Sequence, residues 1–172
     1  FMTGLQLVKK RGELMAQAKD GGMGAVIGLD RDQIMAVIRD SGIAGIDFAN
    51  FNSPTQTVIS GPIDEITHAG QLLEQAGARA YMPLQVSAAF HSRYMREYSE
   101  QFAEFLHPFS FAPPRIPVIS NTTAQPYPAD SESIKALLVR QITQSVEWVQ
   151  SIRYLLALGV SDFREIGPGT VL

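Results

Sequence analysis

No cysteine occurs anywhere in the 172 residues. That absence excludes a disulfide framework, a thiolate metal site and a cysteine nucleophile together, and it fits a reducing compartment. Long apolar runs are missing too: no stretch approaches the roughly 20 residues that a membrane-spanning helix needs. The first residues, Phe1-Met2-Thr3-Gly4, lack the basic start and apolar stretch of a secretory leader. Neither sign of charge dominates. Fourteen Lys and Arg face 17 Asp and Glu, a formal net charge of -3, which argues against a general nucleic-acid surface and leaves only a local basic patch to consider. There is no Walker loop, no Gly-x-Gly-x-x-Gly after a strand, no metal-ligand spacing, no repeat and no low-complexity tract. What remains is an ordinary globular composition, 45% hydrophobic and 18% charged. A chain of this length can bury about two-thirds of its unfolded surface. The expectation is a cytoplasmic α/β protein without membrane, nucleic-acid or metal partners, forming one domain or one domain with a small inserted subdomain.

Hydrophobic periodicity divides the chain in three. Leu5 to Ala18 reads as a helix, with Leu7, Leu14 and Met15 beside Leu5 and Val8, and a basic cluster at Lys9, Lys10 and Arg11. The chain begins inside this element, as a cut domain does. From Gly24 to Leu84 the pattern is β-α-β-β-α-β. It comprises a strand at 25–27, a helix opened by the capping box Asp30/Gln33, strands at 43–49 and 56–60 around a turn at 50–54, a helix from Gly61-Pro62 with Ile63, Ile66 and Leu73 inward, and a strand at 78–83. This is the split βαβ, ferredoxin-like order. The rest alternates differently: a helix at 92–106, a strand at 116–120, helices at 131–143 and 146–158, a strand at 162–166 and a Gly167-Pro168-Gly169 turn. That alternation suggests part of an open α/β sheet.

Two residues stand out chemically. His91 falls after a predicted strand and just before a helix, where α/β proteins place catalytic groups. The plain alternative is a helix-entry histidine bonded to backbone. His68 and His107 read as structural. Arg11 offers a fork that can hold a carboxylate through two parallel bonds, or it is one more arginine on a solvated helix face.

Several stretches in order carry a resemblance: Leu7-Val8-Lys9-Lys10-Arg11-Gly12-Glu13-Leu14-Met15, Asn52-Ser53-Pro54-Thr55-Gln56-Thr57-Val58-Ile59-Ser60-Gly61, Val86 to Met95, Arg140-Gln141-Ile142 with Val146-Glu147-Trp148, and Glu165-Ile166-Gly167-Pro168-Gly169. Along essentially its whole length the chain resembles malonyl-CoA:acyl carrier protein transacylases and the acyltransferase domains of polyketide synthases, including the trans-acting type. The resemblance implies an open α/β-hydrolase-like acyltransferase core with an inserted ferredoxin-like (βαββαβ) subdomain. Residues 1–21 would be a helix of the large subdomain, 22–84 the small subdomain, and 85–172 the remainder of the large one. It also implies a ping-pong transfer from malonyl-CoA, through an acyl-serine, to the phosphopantetheine thiol of an acyl carrier protein, without a bound cofactor.

By this resemblance His91 is the general base, oriented by backbone carbonyls in the segment Gln141 to Ser145. Arg11 is the clamp for the malonyl carboxylate, and Phe90 and Asn52 belong to the substrate-binding set. A Phe before the histidine goes with malonyl, and a Ser with methylmalonyl; one methyl is worth about 1–3 kcal/mol in a pocket. Ala88 departs from the family tetrad, which usually begins with His. No Gly-x-Ser-x-Gly occurs in the sequence. In the family that serine lies upstream of the segment matching Arg11, so a missing N-terminal segment or second chain is expected, and the chain alone should transfer nothing. Two other readings stay open: a hydrolase of acyl-carrier thioesters, and a non-catalytic carrier-docking fragment in which Lys9, Lys10, Arg93, Arg96 and Arg115 meet an acidic carrier.

Overall fold

A computed structural model describes residues 1–167. It begins with helix α1 (Met2–Met15), followed by strand β1 (Gly21–Ile27), helix α2 (Arg31–Ser41), strands β2 (Asp47–Ser53) and β3 (Gln56–Pro62), helix α3 (Ile63–Gln75) and strand β4 (Ala80–Pro83). A 3-10 turn (Arg93–Met95) leads into helix α4 (Arg96–Leu106), and helices α5 (Ser131–Arg140) and α6 (Trp148–Ala157) follow.

Local chemistry explains most of these boundaries. Asp30 accepts from the Gln33 amide at 2.9 Å while the Gln33 side chain accepts from the Asp30 amide at 2.9 Å, a complete capping box for α2. Gly42 ends the helix in the left-handed region, φ 74°, which costs glycine little. Asp64 and Glu65 sit in the first turn of α3, at the positive end of its dipole.

The four strands form one antiparallel sheet in the order β2-β3-β1-β4. Because side chains alternate across a strand, its two faces bury different sets. Val26 and Ile59 join Leu29, Ile34, Ile38, Ile46, Ile66 and Leu73 beneath α2 and α3. Met23, Ala25, Ala49 and Val58 cover the other face, packed against Val86 and Phe90. A third cluster joins Leu14 and Ala18 to Ala88, Met95, Phe102, Leu106 and Ile142, elements far apart in sequence. Full burial of residues such as Ile59 and Leu73, both at 0% exposure, contributes roughly 1.5–3 kcal/mol apiece.

Several elements differ from the sequence reading. Strand β2 runs over 47–53 instead of 43–49, because the Glu65 carboxylate takes the Gly45 amide at 2.7 Å and keeps residues 44–46 out of the ladder. The turn shrinks to Pro54-Thr55. Pro62 caps α3 from outside, and Ile63 is half exposed instead of facing inward. No strand forms at 116–120, where one bridge, Ile119 to Pro126, is made. None forms at 162–166. A strand needs a neighbour to satisfy its backbone; 116–120 finds only the short return at 125–127, where the Ser120 amide bonds the Gln125 carbonyl at 2.9 Å and the Tyr127 amide the Val118 carbonyl at 2.8 Å. Among the described residues the named strands all belong to the single antiparallel sheet. Pro168 and Gly169 of the expected turn lie outside the described residues. Helix α5 stops at Arg140 instead of Thr143, and that early stop shapes the site.

Candidate active site

After β4 the chain continues alongside β1. The Leu84 amide bonds the Met23 carbonyl at 2.9 Å, and the Gly21 amide bonds the Ser87 carbonyl at 3.2 Å. Gly21 permits this close approach: a Cβ there would sit 2.3 Å from the Ala89 nitrogen. Ala88 and Ala89 are buried, and Phe90 packs between the sheet's second face and the helical cluster. The next residue, His91, has φ 56°. A non-glycine residue in this region costs about 1–2 kcal/mol, so the packing of its neighbours holds it there. Ser92 then caps the following turn, accepting from the Tyr94 amide at 3.3 Å and donating to the Ala89 carbonyl.

This backbone twist aims the imidazole at the segment after α5. His91 Nδ1 lies 2.8 Å from the Gln141 carbonyl and 3.2 Å from the Gln144 carbonyl. Carbonyl oxygens only accept, so Nδ1 carries the proton and neutral His91 presents a lone pair at Nε2. The carbonyls stand where a carboxylate orients the histidine of a Ser-His-Asp triad. Burial pushes the imidazole below its usual pKa, the Gln141 bond opposes that shift, and the charge of Arg11 adds to it. The ring is therefore neutral and basic near pH 7.

Arg11, on α1, is close enough to His91 to act on it electrostatically. Its Nε is buried without a hydrogen-bond partner, and burial lowers the pKa of the guanidinium, which nevertheless stays protonated. An unpaired buried donor on a cation is costly, and the group that satisfies it best is a carboxylate. The solvated-face reading of Arg11 does not fit that burial.

A cleft of about 550 Å³ opens beside His91, walled by Phe48, Ser99, Thr143 and Gln144, with Arg31 and Arg96 among its charged lining. Arg11, Phe90 and Asn52 do not line it. Asn52 sits half-buried on β2. Within the segment Gln141 to Ser145 the second carbonyl comes from Gln144 instead of Ser145, whose hydroxyl donates to the Phe48 carbonyl at 2.6 Å. The early end of α5 at Arg140 leaves the C-cap Gln141 carbonyl without an intrahelical partner, and the turn beyond it brings in that of Gln144. Arg93 is not a free docking cation either; its guanidinium is paired with Asp47. Lys10 lies over the Phe105 ring at 5.8 Å. Sequence reasoning missed Asp47 entirely, since nothing in its local pattern distinguishes it from a solvated acid.

The hydroxyls around the cleft are engaged elsewhere. Ser99 donates to the Val139 carbonyl at 3.2 Å and Thr143 to the Arg140 carbonyl at 3.3 Å. The arrangement is thus an imidazole with one ring nitrogen engaged by carbonyls and the other free, near a half-buried cation. Among the described residues no cluster of His, Asp and Glu could hold a metal, and no helix is long and apolar enough to cross a membrane.

Comparison with known proteins agrees in kind. The chain is 50% identical over 173 residues to the polyketide biosynthesis malonyl CoA-acyl carrier protein transacylase PksC of Bacillus subtilis, matching all of this chain and 59% of that protein. It is 53% identical over 172 residues to the polyketide biosynthesis protein ThaF of Burkholderia thailandensis, of which it spans 15%. Its fold superposes on the malonyl CoA-acyl carrier protein transacylase of Burkholderia pseudomallei with TM-score 0.87 at 45% identity, covering 92% of this chain and 54% of that one. A malonyl-transacylase crystallised with its type II polyketide synthase acyl-carrier protein gives TM-score 0.86 at 31% identity, over 92% of this chain and 52% of that one. The chain thus spans a little over half of the transacylases it matches. The profile of the acyl transferase domain matches residues 2–172, and with the histidine and arginine found together at one site, the chain belongs to the acyl transferase domain family.

Proposed function

We propose that the protein carrying this chain transfers malonyl from malonyl-CoA to the phosphopantetheine thiol of an acyl carrier protein in polyketide biosynthesis. The observation that carries this reading is His91, its Nδ1 engaged by two backbone carbonyls and its Nε2 left basic. The polyketide assignment leans on the names of the half-identical relatives.

In this reading Nε2 of His91 takes the proton of a serine hydroxyl as the oxygen attacks the malonyl thioester. The imidazolium returns that proton to the departing CoA thiolate. A second cycle removes the proton from the carrier's thiol, which attacks the acyl-serine and frees the hydroxyl. The serine is supplied by residues other than these 172, which contain no Gly-x-Ser-x-Gly. Arg11 binds the malonyl carboxylate, which argues against an acyl hydrolase that acts on uncharged chains. Phe90 limits room for an α-methyl branch, and Asn52 is assigned to the substrate-binding set.

The unit β1-α2-β2-β3-α3-β4 is read as a ferredoxin-like subdomain over 22–84. It is inserted in an α/β-hydrolase-like core to which 1–21 and 85–172 belong. The strand order β2-β3-β1-β4 supports this.

Intact mass of the full-length protein after exposure to malonyl-CoA tests the reading. One malonyl unit should appear on the wild type and none on His91→Ala. Normal loading of the variant removes His91 from the mechanism, and steady hydrolysis of acyl-carrier thioesters without loading would favour the hydrolase.

A further inference from the structure

Strand β2 touches both sides of the His91 site. On one side the Asp47 carboxylate accepts from the Arg93 backbone amide at 2.8 Å and from Arg93 Nε at 2.9 and 3.0 Å, and it also pairs with the terminal guanidinium nitrogen. Arg93 is two residues past His91. Tyr94 reinforces the clip by donating to the Gly45 carbonyl at 3.0 Å. On the other side the turn that offers carbonyls to His91 is fastened to the same strand. Ser145 donates to the Phe48 carbonyl at 2.6 Å, the Val146 amide to the Ala49 carbonyl at 2.8 Å, and the Phe51 amide to the Val146 carbonyl at 2.9 Å.

We propose that Asp47 is a positioning residue for His91: by gripping Arg93, it lets one end of β2 set the histidine against carbonyls that the rest of β2 holds in place. The inference rests on His91 being the base.

The physical argument is one of geometry. His91 occupies a left-handed conformation that does not hold itself, and its neighbours on the N-terminal side are fixed by the packing of Ala88 and Ala89. On the C-terminal side Ser92 and Met95 are buried, and the Asp47–Arg93 pair fixes the direction of the backbone between them. An exposed ion pair adds little to global stability, but a carboxylate that takes a backbone amide and a guanidinium together fixes a segment in position and angle. A displacement of the order of 1 Å would lengthen the contacts to Gln141 and Gln144, release Nδ1 and let the ring sample its other tautomer. Errors of that size cost acyl-transfer geometry heavily.

The test compares malonyl transfer by the full-length protein carrying Asp47→Ala, Asp47→Asn, Arg93→Ala or the double Ala variant, with His91→Ala in parallel. Asp40→Ala, which removes an exposed pair on α2, is the control. Asp47→Ala is expected to lower kcat roughly tenfold or more while the KM for malonyl-CoA stays within about threefold. Asp47→Asn, which keeps one acceptor, should lose less. The double variant should be no worse than either single one, because the pair acts as a unit. Nitrogen NMR of His91 should report a mixture of tautomers in Asp47→Ala and one tautomer in the wild type, a signature that a general loss of stability does not give. If Asp47→Ala fails to fold, the Asn and Arg93→Ala variants carry the same expectations.

Unchanged kcat and tautomer with an inactive His91→Ala overturns the role of Asp47 alone. A raised KM with unchanged kcat overturns it in favour of direct substrate contact by Arg93. Full activity of His91→Ala overturns the underlying mechanism instead.

Discussion

Replacing Arg11 with glutamine separates a carboxylate clamp from an ordinary helix residue. The side chain leaves α1 half-buried, with Nε enclosed and unbonded. A malonyl carboxylate bound there would accept two charge-assisted hydrogen bonds, each worth about 1.5–3 kcal/mol. Taking the lower figure, because the guanidinium is partly solvated, gives a loss of about 3 kcal/mol. At 1.4 kcal/mol per tenfold, malonyl transfer should drop about a hundredfold in kcat/KM. Acetyl transfer, which has no carboxylate to hold, should fall by much less or improve. Stability should change little or rise, since a cation half removed from water is replaced by a neutral group. Loading rates with malonyl-CoA and acetyl-CoA, measured on the same preparations, decide the matter. Equal losses for both donors would refute the clamp and make Arg11 a packing residue. Unchanged malonyl loading would refute any role at all.

Three further outcomes follow from the same geometry. Because burial first, and Arg11 second, hold the His91 imidazole below its ordinary value near 6.5, the acid limb of the kcat/KM profile should fall below that pH and move upward in Arg11→Gln. An acid limb well above 6.5 would contradict it. The same depression makes the unfolded chain the better proton acceptor, so the stability that neutral His91 contributes is complete above about pH 6.5 and is lost as pH falls through its folded pKa; urea unfolding of wild type and His91→Gln at two pH values measures this. Gly21→Ala places a methyl 2.3 Å from the Ala89 nitrogen, and backbone cannot yield as a flexible side chain does. A loss of about 2–3 kcal/mol is expected, with kcat reduced because the displaced segment leads directly to His91. A wild-type Tm would show that the loop moves freely.

Much of the small sheet is legible before any coordinates, and the reasons are local. The capping box of α2, Gly42 past its end and the short buried runs of β1 and β3 each involve residues within a few positions of one another. Where the reading slips, a distant group decides. Strand β2 starts late because Glu65, twenty residues on, claims the Gly45 amide. The segments 116–120 and 162–166 have strand-like patterns, yet the first pairs only with the short return at 125–127, too little for a ladder. The site follows the same division. His91 is visible as a residue between strand and helix, but its φ of 56° is not written in the types Phe90-His91-Ser92. The choice of Gln144 over Ser145 depends on where α5 frays. The Asp47–Arg93 pair joins two residues whose surroundings in sequence look like those of any solvated charge.

The separations themselves explain why the site depends on more than its own loop. The cluster beneath α2 and α3 draws on residues 26–81, a stretch short enough for each element to pack on a neighbour in sequence. The contacts that define the site span 46 residues between Asp47 and Arg93, 50 and 53 between His91 and its carbonyls, and 97 between Phe48 and Ser145. Closing loops of that length costs entropy that is recovered only when both ends are already ordered. The sheet therefore serves the chemistry indirectly: it is the ordered edge on which β2 receives first the residues after His91 and then the turn after α5. Substitutions that loosen β2, even on the face away from the cleft, should reach His91 before they unfold the sheet, because the ring is held by two hydrogen bonds to one nitrogen and the sheet by a full ladder.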